Sequence, residues 1–275
     1  MSFNVQDIYL IFLLLFAGMI AGYAGALFGI GGGTVLVPIL LAIFPLIQTT
    51  QDISMHMALG TSLALLVPNT LMSALKQYKM HNMDFELLKR WIPFVVGGAV
   101  LGTAVIKFIP ALYLKIFFTA YLYSSFLFIV MKKNEVTEIP GSPRGKMVGM
   151  VGSVVGLVSV LLGMGGGTFS VPFTRIYNYP MKKAIAFSSV TGIFIGIIGT
   201  VGVIVSGWGV TGRPPYSLGF VSLLAFVIIV PAVLFFSPYG VKTANILSRR
   251  QWQWIYSLFL LIMAIYMTFQ IIFQV

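Results

Sequence analysis

From Ile8 to Phe28 no charged residue interrupts the chain, and about 20 consecutive apolar residues are what a helix needs to cross the hydrocarbon core of a bilayer. Apolar stretches recur at about 8–28, 34–47, 53–75, 91–109, 112–131, 147–162, 168–177, 184–206, 217–236 and 250–274, parted by short polar segments. Roughly ten-residue alternating segments, the mark of membrane barrel strands, do not occur. With 59% hydrophobic and 8% charged residues, the composition lies outside that of soluble domains. The expected fold is an all-α integral membrane protein of about ten hydrophobic segments. A secretory leader is the alternative reading of the first stretch, given the small residues near Ala26. Asp7 and the lack of Lys or Arg ahead of the apolar run speak against it, so the stretch is kept as part of the mature chain.

Within this apolar background Gly29-Ile30-Gly31-Gly32-Gly33-Thr34 returns as Gly163-Met164-Gly165-Gly166-Gly167-Thr168, 134 positions on, and Pro38 and Pro172 keep the same spacing. Helix interiors disfavour glycine by roughly 1 kcal/mol relative to alanine, so each motif predicts a helix break, with Thr34 and Thr168 as N-caps of the helices that follow. The segments that follow, 34–47 and 168–177, are short for a crossing, so each half is expected to open with a broken or re-entrant helix pair. A helix N-terminus offers free N–H groups and the positive end of a dipole, which hold anions without a charged side chain, and glycine lets a ligand approach the backbone. Close helix packing is the competing account of the glycines. It is accepted for Ala21, Gly25 and Gly29, for Gly98 and Gly102, and for Gly192 and Gly196. A Rossmann fingerprint and a P-loop are excluded, because neither pattern is completed here.

The charges orient the segments. The net charge of +11 sits in loops, which points to positive-inside topology and not to nucleic acid. Lys76, Lys79, Lys89 and Arg90 place the loop 76–90 inside, and Lys132, Lys133, Arg144 and Lys146 do the same for 132–146. Arg175, Lys182 and Lys183 place the loop after 168–177 inside, whereas its counterpart in the first half carries Asp52 and no base. Only Lys107, Lys115 and Arg213 of the 17 Lys and Arg residues then fall outside, the two lysines by snorkelling to the interface. This pattern requires two halves of inverted topology: a first repeat 1–131, a cytoplasmic linker 132–146 and a second repeat 147–275, with both termini external.

Hydroxyl pairs stand about 25 residues after each motif, Thr61 and Ser62 in the first half, Ser188 and Ser189 in the second. They could donate to a bound oxyanion or to their own i−4 carbonyls. Asn69 beside Pro68 is a further polar candidate, since proline frees a helix carbonyl. All six acidic residues lie in loops or at segment ends, which disfavours a carboxylate relay. His56 is the one ionisable side chain close to a span that could titrate near neutral pH, read as interfacial. With no cysteine, no buried carboxylate and no metal-ligand cluster, no enzyme chemistry, metal or cofactor is expected.

The doubled GxGGGT…P, the hydroxyl pairs behind it and Pro215-Tyr216-Ser217-Leu218-Gly219 before a late span resemble the TauE/SafE family of sulfite exporters over roughly residues 10–270. The resemblance implies transport of sulfite, an organosulfonate or a related small sulfur-containing or carboxylate anion across the cytoplasmic membrane. The expected substrate-binding set is Gly31, Gly32, Gly33, Thr34, Thr61, Ser62, Asn69, Gly165, Gly166, Gly167, Thr168, Ser188 and Ser189, with alternating access as the mechanism and a passive anion channel as the alternative. The expected partners are a small anion and the lipid bilayer, with a homodimer as the candidate assembly.

Overall fold

A computed structural model describes residues 5–28, 31–47, 49–131, 146–177 and 179–273. Gly29 and Ile30 of the first motif, the linker residues 132–145 and the side chains of Asp7, Lys146 and Arg175 lie outside the described set. Ten α-helices form among the described residues: α1 (Val5–Phe28), α2 (Gly33–Ile43, with a 3-10 turn Phe44–Ile47), α3 (Gln51–Lys79), α4 (Phe85–Ile106), α5 (Ala111–Met131), α6 (Lys146–Leu161), α7 (Gly167–Ile176), α8 (Met181–Ser206), α9 (Leu223–Ile246) and α10 (Arg249–Ile272). Seven of them are long and apolar enough to cross a membrane, and the protein is a multi-pass α-helical membrane protein. At 1.5 Å per residue the 11-residue α2 and the 10-residue α7 reach only about 15 Å, half a hydrocarbon core. The 16-residue α6, at about 24 Å, is a third short helix that the apolar pattern does not single out.

Polar caps set several helix starts. Asp84 accepts from the Leu87 N–H at the head of α4, and Ser248 and Gln251 form a capping box at the head of α10. One expected boundary is corrected. Residues 217–222 are not the start of a membrane helix: Ser217–Leu218 and Val221–Ser222 pair antiparallel as a small hairpin, β1 and β2. Ser222 then caps α9, which begins at Leu223 and runs on to Ile246. The apolar residues of the hairpin read as membrane segment in sequence because Phe220 and Val221 are buried against protein and not lipid.

The helices pair across the halves. The most extensive packing is α1 on α9, α4 on α6, α3 on α8 and α4 on α8, followed by α5 on α10. The contacts along each seam fix its direction. Gly192 faces Thr70 and Gly196 faces Val67, while Ser73 bonds Ser189, so α3 and α8 run antiparallel. Gly98 meets Ser153 and Gly102 meets Leu157, so α4 and α6 run parallel. Gly18 meets Ala232 and Gly22 meets Val233, with Gly240 against Ala26, which makes α1 and α9 parallel too. Glycines expected to pack, namely Gly25, Gly98, Gly102, Gly192 and Gly196, do pack. The pairs Gly18/Gly22 and Gly152/Gly156, missed in the sequence, carry the two equivalent seams, and their small-xxx-small spacing was the available signal.

A control lies on the partner helix. A methyl on Gly156 would press on the Val95 carbonyl and stand 2.8 Å from the Ala99 nitrogen, whereas one on Gly97 would meet nothing within 4 Å. Gly156→Ala is expected to lower stability by about 1–3 kcal/mol and Gly97→Ala to leave it unchanged or raise it by up to about 1 kcal/mol, as read from thermal melts in detergent.

Candidate functional site

The two glycine motifs are in contact at the centre of the bundle. A Cβ placed on Gly33 would strike the Gly163 carbonyl oxygen and stand 2.8 Å from the Met164 Cα, and one on Gly31 would stand 3.8 Å from the Gly165 Cα. Leu66, in the middle of α3, rests on both Gly31 and Gly165. The chain turns back on itself at each motif. In the first half Gly32 lies against Gly25 of α1. In the second, Tyr177 just past α7 reaches the Met147 sulfur at the start of α6 (3.2 Å), so α6 and α7 form a hairpin whose two ends lie together.

The breaks are made by backbone conformations that favour glycine. Gly31 and Gly32 have φ of 75° and 87°, and Gly163 has φ of 62°, a region where a side chain is disfavoured. Gly32, not Thr34, is the N-cap of α2, and its carbonyl accepts from Val35 (3.0 Å) and Leu36 (2.8 Å). The equivalent Gly166 carbonyl accepts from Phe169 (3.2 Å) and Ser170 (2.8 Å), with α7 beginning at Gly167. The expectation of threonine caps is therefore corrected: the left-handed Gly32 supplies the cap geometry of α2, and both threonines are second residues of their helices. The register leaves the leading N–H groups of α2 and α7 without an intrahelical partner, and both helix starts face the motif contact.

The remaining expected site residues are placed as follows. Thr34 is fully buried and donates to the Met164 sulfur at 3.0 Å. Ser62 donates to the Gly163 carbonyl at 2.8 Å, and Asn69 donates to the Gly31 carbonyl at 3.2 Å; these two therefore clamp the motifs in place. The Thr61 hydroxyl accepts from the backbone N–H of Ser222 at 3.0 Å, which joins α3 to the hairpin before α9. Ser189 donates to its own i−4 carbonyl, Ile185, and shares a 2.7 Å contact with Ser73. Ser188 is buried on α8, and Thr168 heads α7 with a buried hydroxyl that has no hydrogen-bond partner among the described residues.

His56 is buried instead of interfacial, with Nε2 at 3.2 Å from the Ile106 carbonyl and 3.0 Å from that of Ile109, and its ring stacked on Phe220. It holds the carbonyls at the end of α4. Lys107 is exposed with its ammonium over the Phe108 ring, as a snorkelling lysine stands, but Lys115 is buried at 6% exposure, because α5 turns that face to the protein. The carboxylates with described side chains keep to helix starts: Asp52 in the first turn of α3, Asp84 as a cap and Glu86 paired with Arg90.

Comparison with known proteins bears on this site. The family described as "Sulfite exporter TauE/SafE" matches residues 14–267. A probable membrane transporter protein of Haemophilus influenzae is 33% identical over 94% of this chain and 97% of its own. One of Methanocaldococcus jannaschii is 28% identical over 93% and 94%, and one of Bacillus subtilis is 28% identical over 71% and 78%. No solved structure matches.

Proposed function

Because the chain belongs to the sulfite exporter TauE/SafE family, we propose that this membrane transporter is a permease for a small sulfur-containing anion, sulfite or an organosulfonate. The observation that carries the reading is the meeting of the α2 and α7 starts at the paired glycine motifs. Two positive dipole ends and two sets of free N–H groups aimed at one place favour an anion and need no basic side chain there. A buried amide donor inside the bilayer is costly unless something accepts from it.

The halves are an inverted repeat in this reading, and the helix directions support it. Equivalent helices α3 and α8 are antiparallel, which puts the pseudo-two-fold axis across them and in the membrane plane. The parallel pairs α1 with α9 and α4 with α6 interchange under the same axis. The loop charges then set both termini outside. Alternating access follows by rocking of the halves about the motif contact, each hairpin opening toward its own side. Enclosure favours a permease over a passive channel: Gly32, Gly33, Gly165 and Gly166 are all buried.

In proteoliposomes, saturable uptake of labelled sulfite or ethanesulfonate is expected. It should be lost in Gly32→Leu, compared with Gly32→Ala, which shares the backbone strain at φ 87° and whose Cβ meets nothing nearer than 3.5 Å. Uptake proportional to concentration without saturation would support a channel, and unchanged uptake by Gly32→Leu would remove the motif from the path.

A further inference from the structure

We infer that the anion is not shared evenly by the two motifs but is bound on the α7 side, by the hydroxyls of Tyr121, Ser159 and Thr168. The inference rests on the anion-permease reading above and names the residues that would select its ligand. All three hydroxyls are buried and make no hydrogen bond among the described residues. Buried polar groups in native proteins are otherwise nearly always paired, and three unpaired donors at one helix start point to a group that accepts from them.

Their placement is set by different elements. Thr168 is the second residue of α7. Tyr121, on α5, packs its ring 5.6 Å from Phe169, and its hydroxyl stands near those of Thr168 and Ser125 without closing a hydrogen bond to either. Ser159, fully buried on α6, accepts at its carbonyl from the Met164 N–H at 2.9 Å, so it borders the second motif directly. It holds the place of Gly25, 134 positions earlier, whose own Cβ position lies 2.7 Å from the Gly32 Cα. The repeat thus puts the Ser159 side chain on the Gly166 side.

The α2 side shows no such set among the described residues. Gly25 carries no hydroxyl where Ser159 has one, and the hydroxyl of Thr34 is taken by the Met164 sulfur. The buried Tyr256, set beside Tyr121, packs its ring 4.7 Å from that of Phe28. Neutral donors around a helix start suit a tetrahedral or pyramidal oxyanion, whose several oxygens accept in different directions.

The test is titration of the full-length protein in nanodiscs with sulfite and with ethanesulfonate, read by melting temperature. Wild type is stabilised. Tyr121→Phe and Thr168→Val leave the unliganded melting temperature nearly unchanged, since each removes a hydroxyl outside hydrogen-bond geometry with its neighbours, and raise the apparent Kd about tenfold. Thr34→Val leaves Kd unchanged. Should Tyr121→Phe not fold, Thr168→Val against Thr34→Val decides. A loss of affinity in at least one of the first two, with Thr34→Val unaffected, bears the inference out. Equal affinity in both, or an equal loss in Thr34→Val, overturns it and leaves the permease reading intact. A wild type that neither anion stabilises overturns that reading and this one together.

Discussion

Gly33→Ala is expected to be among the most damaging single changes in the chain, costing about 3 kcal/mol or more and leaving little protein recoverable in folded form. The added methyl would press on the Gly163 carbonyl and on the Met164 Cα. Both are backbone atoms of the opposing motif, so no side-chain rotation can relieve the contact. Overpacking of a close-packed site costs about 1–3 kcal/mol where neighbours can give. Here the two hairpins would have to separate, and the bonds of Ser62 to Gly163 and of Thr34 to Met164 would stretch with them. The neighbouring Gly32→Ala is the informative comparison. Its methyl would meet nothing closer than 3.5 Å, and the cost is that of holding alanine at φ 87°, about 1–2 kcal/mol. Thermal melts of the two variants, side by side in the same detergent, check the ordering. Equal losses would mean that the motif contact is softer than its geometry indicates.

Ser62→Ala should show the second large effect, about 1–3 kcal/mol. The hydroxyl and the Gly163 carbonyl are both buried, and removing the donor deprives a carbonyl at the turn of the second motif, where water is excluded. Ser189→Ala, the counterpart in sequence, should cost under about 1 kcal/mol, because its hydroxyl bonds its own helix at Ile185 and a partly exposed Ser73. If the two serines cost the same, the cross-half bond of Ser62 contributes no more than a helix back-bond. Neither change touches the α7 hydroxyls, so a loss of transport by Ser62→Ala at unchanged anion affinity would separate support of the motif from contact with the anion.

The helices were legible because the apolar stretches are long and the bilayer length scale is fixed; each of the ten stretches has a helix in the structure. The proximity of the motifs was also legible, through their duplication and the charge bias of the loops. What escaped was whatever depends on a distant partner. Thr61 and Ser62 look alike in sequence, yet one accepts from Ser222, 161 residues on, and the other donates to Gly163, 101 residues on. No local pattern announces either bond. Tyr121 and Ser159 sit in helices as ordinary apolar-face residues, and only the packing of α5 and α6 around the second motif marks their hydroxyls out. The threonine caps were misassigned because the usual preference for a hydroxyl at a helix start yields where a glycine turn leads into the helix, at positive φ in Gly32. The hairpin at 217–222 was absorbed into a helix because an apolar run of that length carries no period that separates strand from span.

The pairing of α1 with α9 has a consequence for how the chain is made. Tyr23 and Thr243, bonded at 3.0 Å, are 220 residues apart, so α1 meets its main neighbour only when α9 is complete. Until then its glycine face, Gly18 and Gly22, lies against lipid, and the hairpin it opens has no opposing motif to rest on. The α4 seam waits less, for α6. Neither half carries the surface that would bury its own seams, so the first half expressed alone should be degraded, while the two halves co-expressed as separate chains should find each other in the bilayer. Assembly of this protein is in that sense an encounter between two membrane-inserted pieces that happen to share one chain.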